Sequence, residues 1–170
     1  MKPDVVVRLV AGPALFTAGV LVFWFVREIG PLDVAKVQGF VGVPLLALGP
    51  AVAGLAGRWP EIRRPARLAV NLAALGVGVL GALATAFSVR QVGCTPVTSP
   101  IDALPQGIVV GVLAGFSYWF AAIEAMHRAE RGRSWFALAS GAATFVVATA
   151  VTVGIVFRVL FPPLSCAPPQ

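Results

Sequence analysis

Charged residues are scarce in this chain of 170 residues. Only 12% of its residues are charged, against about 25% in a typical soluble domain, and 58% are hydrophobic. The core of so short a soluble chain cannot hide that much apolar surface from water. The composition therefore excludes an ordinary soluble protein and predicts that most of the chain has the lipid bilayer as its solvent.

Residues that carry catalytic or metal chemistry are also few. His127 is the only histidine, so the chain cannot supply the paired histidine ligands of a membrane b-type haem. No cluster of Cys, His, Asp and Glu surrounds it, and the two cysteines do not form a Cys-x-x-Cys motif. We find no pairing of a nucleophile with a base. The sequence predicts a protein that is not an enzyme and holds no metal or cofactor.

Basic residues are in excess, giving a net charge of +6. They lie in short runs between apolar segments and not on one face of a polar domain, which argues against nucleic-acid binding. What the sequence does contain is long apolar runs.

Five segments approach or exceed the roughly 20 apolar residues that a membrane-spanning helix needs. We therefore predict a single all-α domain over residues 1–170, a bundle of five transmembrane helices. The first segment is longer than the apolar region of a cleavable signal, so we interpret it as a membrane helix. The second contains Pro44 and Pro50, which predicts a kink. The predicted helices are residues 5–26, 39–57, 68–89, 107–126 and 136–161.

The distribution of basic residues predicts the orientation. With five spans, nine of the 13 basic residues fall on one side and four on the other. Basic residues near helix ends favour the cytoplasm. The N-terminus is therefore predicted to be cytoplasmic and the C-terminus external.

The predicted topology places both cysteines, Cys94 and Cys166, just beyond the external ends of the third and fifth helices. That compartment is oxidising, so we predict a disulfide between them. The alternative is two unrelated free thiols.

Three polar residues within the predicted helices are candidates for function. Glu124 lies four residues before Arg128, the spacing of a helical ion pair; the alternative is a role in transport or a proton relay. Arg158, near the external end of the last helix, has a side chain long enough to reach the headgroups; the alternative is a ligand or partner contact. Asn71 is one of the sparse polar residues that a transport path would need.

Small residues recur at helical spacing. Gly107, Gly111 and Gly115 form such a series in the fourth helix, as do Ala74, Gly78, Ala82 and Ala86 in the third. These stripes allow close packing of helices within the chain or docking onto another membrane protein. Tyr118 and Trp119, in the middle of the fourth helix, are interpreted as packing residues; the alternative is that they line a cavity or face a partner.

The chain also resembles a known family. The second helix begins with Gly39-Phe40, continues through Pro44 and Leu45-Leu46 to Gly49, and ends at Arg58. Gly115-Phe116 lies in the fourth helix, and Arg131-Gly132-Arg133 precedes a last helix that ends in Phe161-Pro162-Pro163-Leu164. This pattern is similar to the TctB family, the small membrane subunit of tripartite tricarboxylate transporters. The loop that contains Cys94 is longer than in that family.

The resemblance implies a small subunit beside a larger transport subunit and a periplasmic binding protein for carboxylates. From the residues alone, the expected function is that of a noncatalytic subunit of a larger membrane complex in a bacterial plasma membrane. The alternative is an independent, homo-oligomeric transporter or channel, which requires polar residues along a path.

Overall fold

The fold is described by a computed structural model, which covers residues 3–25, 36–88, 91–92, 95–96 and 98–159. In this part of the chain there are five long α-helices and one two-stranded antiparallel ribbon. The helices are α1 (Pro3–Phe25), α2 (Val43–Leu55), α3 (Arg63–Ser88), α4 (Leu104–Glu130) and α5 (Ser134–Val159). The strands are β1 (Gln91–Val92) and β2 (Thr95–Pro96).

Four helical segments are long and apolar enough to cross a membrane. The apolar stretch described in α1, Leu9–Val22, is shorter than these four. An all-helical, membrane-embedded protein is therefore what the structure supports, and each predicted span falls on one of its five helices. The four segments are Gln38–Arg58, Pro60–Ser88, Leu104–Glu130 and Ser134–Thr152.

The second membrane segment departs from α-helical geometry at its start. Residues Gln38–Gly42 form a π-helical turn that leads directly into α2. Pro44 lies in the first turn of α2 and Pro50 lies inside the helix, where it is buried. Because the π-helical turn continues directly into α2, Pro44 leaves a carbonyl oxygen of that turn without its N–H donor. The irregularity in hydrogen bonding thus lies in the turn just before Pro44.

The described residues divide into two compact units. The first unit comprises residues within Met1–Ala73 and Tyr118–Val146, and the second unit comprises residues within Ala74–Ser117 and Val147–Gln170. The single domain expected over residues 1–170 stays a prediction.

In the first unit, α1 packs closely against α2. A Cβ on Gly12 would lie 2.6 Å from the Cβ of Ala53, and one on Gly49 would lie 2.7 Å from the Cβ of Phe16. Real side chains do not approach so closely, so the two helices meet only because glycine occupies these positions.

Aromatic side chains fill the space that these small residues leave in the first unit. The ring of Phe16 meets the ring of Tyr118 edge-on, with centroids 5.1 Å apart, and that of Phe145 edge-on at 5.9 Å. Such edge-to-face pairs are the favoured aromatic geometry. Phe145 belongs to a buried cluster with Ala47 and Ala121.

In the second unit, α3 and α4 meet backbone to backbone. A Cβ on Gly107 would lie 2.5 Å from the carbonyl oxygen of Ala82, and one on Gly115 would lie 2.7 Å from that of Ala74. Gly111 faces the carbonyl oxygen of Gly78 in the same way. The two stripes of small residues singled out in the sequence are thus placed against each other.

The segment before α4 is not a plain loop. β1 pairs with β2 in antiparallel register, Gln91 opposite Pro96 and Val92 opposite Thr95. This short ribbon was not foreseen, because a two-residue strand leaves no periodic pattern in a proline-rich segment.

Asp102 organises the turn that leads into α4. Its carboxylate accepts hydrogen bonds from the backbone N–H of Ser99, at 3.0 Å, and from the hydroxyl of Thr98, at 3.1 Å. These hydrogen bonds stabilise the charged form of the Asp102 carboxyl and so hold its pKa below its usual range. The bond from Ser99 has the largest effect. The charged carboxylate of Asp102 thus holds together the turn that begins at Thr98.

Candidate functional site

The candidate site lies in the first unit, where α3 begins and α4 ends. Pro60 begins the short 3₁₀ turn Pro60–Ile62, from which the chain passes directly into α3. After α4 the chain turns through Gly132, whose φ of 76° suits glycine, and enters α5 at Ser134. α3 begins with Arg63 and Arg64, and the turn after α4 contains Arg131 and Arg133, so these helix ends are strongly charged.

Glu130, the last residue of α4, contacts two arginines of α3. Its Oε1 lies 3.2 Å from Nε of Arg63 and 3.5 Å from Nη2 of Arg67. The Arg67 contact is a hydrogen bond, whereas the buried Nε of Arg63 is poorly aligned for one and contributes through charge alone. One carboxylate faces two guanidinium groups, so the cluster carries a net positive charge.

A neutral polar pair lies further along the same two helices. Nε1 of Trp119 donates a hydrogen bond of 2.9 Å to Oδ1 of Asn71. Trp119 precedes Glu130 by eleven residues, which is about 16 Å along a helix axis. Away from the helix ends, the indole N–H and the amide oxygen thus satisfy each other's hydrogen bonding.

The ion cluster and the neutral pair border one groove of about 340 Å³. Arg67, His127 and Glu130 lie near the helix ends, while Ile123 and Met126 supply apolar walls. The groove is therefore amphipathic, with charges at one end and a mostly apolar remainder. Its lining residues are Arg67, Asn71, Trp119, Ile123, Met126, His127 and Glu130.

Glu124 is placed outside this groove. Its Oε1 lies 2.6 Å from Nε of Arg128, the i+4 ion pair that the spacing predicts, and both side chains are about one-third exposed or more. The geometry favours an ion pair over a proton relay, since the carboxylate already has a charged partner.

Three predicted site residues lie beyond what the structure describes. Cys94 and Cys166 fall outside the described residues, so the disulfide stays a prediction. Arg158 lies within the backbone of α5, but its side chain is not among those described.

Sequence reasoning singled out Asn71 and Trp119 but did not pair them, and it overlooked Glu130. Asn71 and Trp119 are 48 residues apart, and Arg67 and Glu130 are 63 apart, so no local spacing reveals either contact. Trp119, which was interpreted as a packing residue, also lines the groove, as the stated alternative allowed. Its neighbour Tyr118 is fully buried in the aromatic cluster.

Within the described residues, no three His, Cys, Asp or Glu side chains come together in a way that could hold a metal ion. The chain matches no family model, no curated protein and no solved structure. Its function must therefore be argued from its own residues.

Proposed function

We propose that this protein is a small, noncatalytic, multi-pass subunit of a larger membrane complex in a bacterial plasma membrane. In this proposal the chain crosses the bilayer five times, with the N-terminus cytoplasmic and the C-terminus external. The resemblance to the TctB family gives the specific form of the proposal, the small subunit of a carboxylate transporter.

The hydroxyl groups within the helices carry the proposal. Ser117, which is 5% exposed, donates a hydrogen bond of 2.9 Å to the carbonyl oxygen of Leu113 in its own helix. Thr85 does the same to Gly81, at 2.8 Å. Hydroxyl groups inside membrane helices are among the polar groups that a transport path would need. A hydroxyl that bonds to its own backbone is satisfied within the helix and has less to offer a passing solute.

The interior of the first unit supports the same conclusion independently. The fully buried positions of the first unit are mostly alanines, such as Ala51, Ala121 and Ala125, packed against glycines. Such an interior is built for close helix contact and not for water, because small apolar residues leave neither space nor hydrogen-bond partners.

The outer surface of α3 offers a broad apolar face for lipid or for a membrane partner. In the most apolar stretch of the segment that contains α3, only 11% of the residues are buried, against 44% in that of the segment that contains α2. In water such a face would be a liability, whereas in a membrane it is a normal surface for helix association. Its exposed large residues are Leu68, Leu72, Leu75, Val79, Leu80, Leu83 and Phe87.

Purification in mild detergent from the native membrane tests the subunit proposal. We expect a stoichiometric complex with one larger membrane protein, identified by mass spectrometry, and loss of that partner's activity when this chain is deleted. The purified chain alone, reconstituted in liposomes, should move no carboxylate. A homo-oligomer that transports solute by itself would contradict the proposal and favour the alternative of an independent transporter or channel.

Single-cysteine labelling tests the orientation. Ile101 and Arg131 are both exposed, in the turns before and after α4. In a chain whose Cys94 and Cys166 are replaced by serine, we expect a membrane-impermeant thiol reagent to label Ile101→Cys in intact cells. Arg131→Cys should react only after permeabilisation, since basic turns favour the cytoplasm. The reverse labelling pattern would show that the topology is inverted. Equal labelling of the two positions would show that α4 does not separate them across the membrane.

A further inference from the structure

We propose that the groove between α3 and α4 in the first unit binds one anionic phospholipid. The phosphate would lie at Arg67 and His127, and the first carbons of an acyl chain would lie against Ile123, Met126 and Trp119. This inference goes beyond the proposed function and does not depend on it.

The charged end of the groove suits a phosphate group. Arg67 is about half exposed and gives Glu130 a single contact, through Nη2. A guanidinium group carries five N–H donors in a fixed fork, so others are left for a second anion. Because Arg63 and Arg67 together outweigh the charge of Glu130, the cluster attracts an anion. Glu130 positions Arg67 at the mouth of the groove.

The remainder of the groove suits an acyl chain. Ile123 and Met126 both line the groove with apolar side chains, and Ile123 is the more accessible of the two because Met126 is only 2% exposed. The indole of Trp119 is held in place by its hydrogen bond to Asn71. A water-soluble anion would gain nothing from these residues, whereas a lipid uses both ends of the groove.

The size of the groove favours a lipid over a helix of a partner protein. At about 340 Å³ it lies at the low end of small-molecule sites, enough for a headgroup and the first part of one chain. A helix with its side chains is about 10–12 Å across and cannot enter such a space. Basic pockets between membrane helices are also known to bind anionic headgroups.

Native mass spectrometry of the full-length protein in a neutral detergent tests this inference. Phosphatidylglycerol and phosphatidylcholine are added at equal concentration. We expect the wild-type protein to retain one molecule of phosphatidylglycerol in preference to phosphatidylcholine. Arg67→Gln should weaken retention about tenfold, as expected for the loss of a charge-assisted hydrogen bond to the phosphate.

Arg64→Gln is the matched control. Arg64 lies on the same helix, is exposed, and does not line the groove, so its removal changes the net charge equally. We expect retention to stay within about twofold of wild type, since an exposed charge that does not line the groove contributes little. Equal losses in the two variants would show diffuse attraction to the basic surface and overturn the site.

Ile123→Trp tests the apolar half without altering a charge. The larger ring fills the groove, so the variant should lose phosphatidylglycerol while circular dichroism shows that it remains helical. Full retention would show that no chain lies there and would overturn the inference. The comparison of the two lipids on the wild-type protein needs no variant. Equal retention of both lipids would therefore overturn the inference even if a substituted chain failed to fold. Displacement of the lipid by an equal concentration of inorganic phosphate would reassign the site to a free anion.

Discussion

Both units bring helices together at glycines, but the surroundings of those glycines differ. In the first unit, Gly19 and Gly49 face the side chains of Leu46 and Phe16 as well as backbone, and aromatic rings fill the space around them. In the second unit, Gly107 and Gly115 face backbone carbonyl oxygens of α3. Gly54 of the first unit also faces a carbonyl oxygen, that of Ala122, so backbone approach occurs in both units and the aromatic rings distinguish the first.

The difference has a second part, in polar chemistry. The first unit contains the Glu130 ion cluster and the hydrogen bond between Trp119 and Asn71. The described α3–α4 contact of the second unit uses glycine and alanine, and its hydroxyls bond to their own helices. Backbone approach should therefore dominate stability in the second unit, while packing and charge share that role in the first.

The largest effect is expected at Gly111. Replacing it with alanine places a Cβ against the carbonyl oxygen of Gly78 and the side chain of Ala82, so α3 and α4 must separate. We expect a loss of about 2–3 kcal/mol in the free energy of unfolding. Far-UV circular dichroism during titration with sodium dodecyl sulfate measures it.

Gly76→Ala is the control for that substitution. Gly76 lies on α3 in the same unit, and nothing lies within 4 Å of the position its Cβ would take. This variant should be neutral or more stable by up to about 1 kcal/mol, because alanine is the better helix former. If Gly111 and Gly76 tolerate alanine equally, α3 and α4 do not make the close contact described for the second unit.

Phe145→Ala tests the aromatic packing of the first unit. Phe145 is 9% exposed and contacts Phe16, so truncation leaves a cavity that costs about 2 kcal/mol. Phe136→Ala, on the same helix but 62% exposed, should cost less than about 0.5 kcal/mol. The same detergent titration compares them, and equal costs would remove the aromatic cluster as a source of stability.

Tyr118→Phe is expected to stabilise the protein. The hydroxyl of Tyr118 is buried and has no hydrogen-bond partner among the described residues. Removing it relieves a desolvation penalty of about 1 kcal/mol while the ring keeps its contact with Phe16. Ser117→Ala, which removes a satisfied hydroxyl, should be close to neutral. A destabilised Tyr118→Phe would show that the hydroxyl does have a partner.

The smallest effects are expected at the two carboxylates of α4. Glu130→Gln loses contacts with two arginines and should cost about 1 kcal/mol, whereas Glu124→Gln loses one exposed pair and should cost about 0.5 kcal/mol or less. Both costs should shrink at high salt, because salt screens exposed charges. If Glu124→Gln abolished function while stability stayed normal, the ion-pair interpretation of Glu124 would be wrong.

The sequence by itself determined the helices and their local contacts. Apolar runs of about 20 residues mark spans because the thickness of the hydrocarbon layer sets their length. The pair Glu124–Arg128 follows from i+4 spacing within one helix, and the stripe of Gly107, Gly111 and Gly115 follows from one helical face. These features depend on neighbours along the chain, so the chain alone reveals them.

Only the tertiary structure decided which faces meet. In a membrane the lipid-facing and core-facing positions are both apolar, so hydropathy cannot show that Leu75 is exposed and Val70 buried on the same helix. The contacts of Glu130 with Arg67 and of Trp119 with Asn71 join residues far apart in the chain. They exist because α3 and α4 are neighbours at a particular rotation, and the groove exists for the same reason.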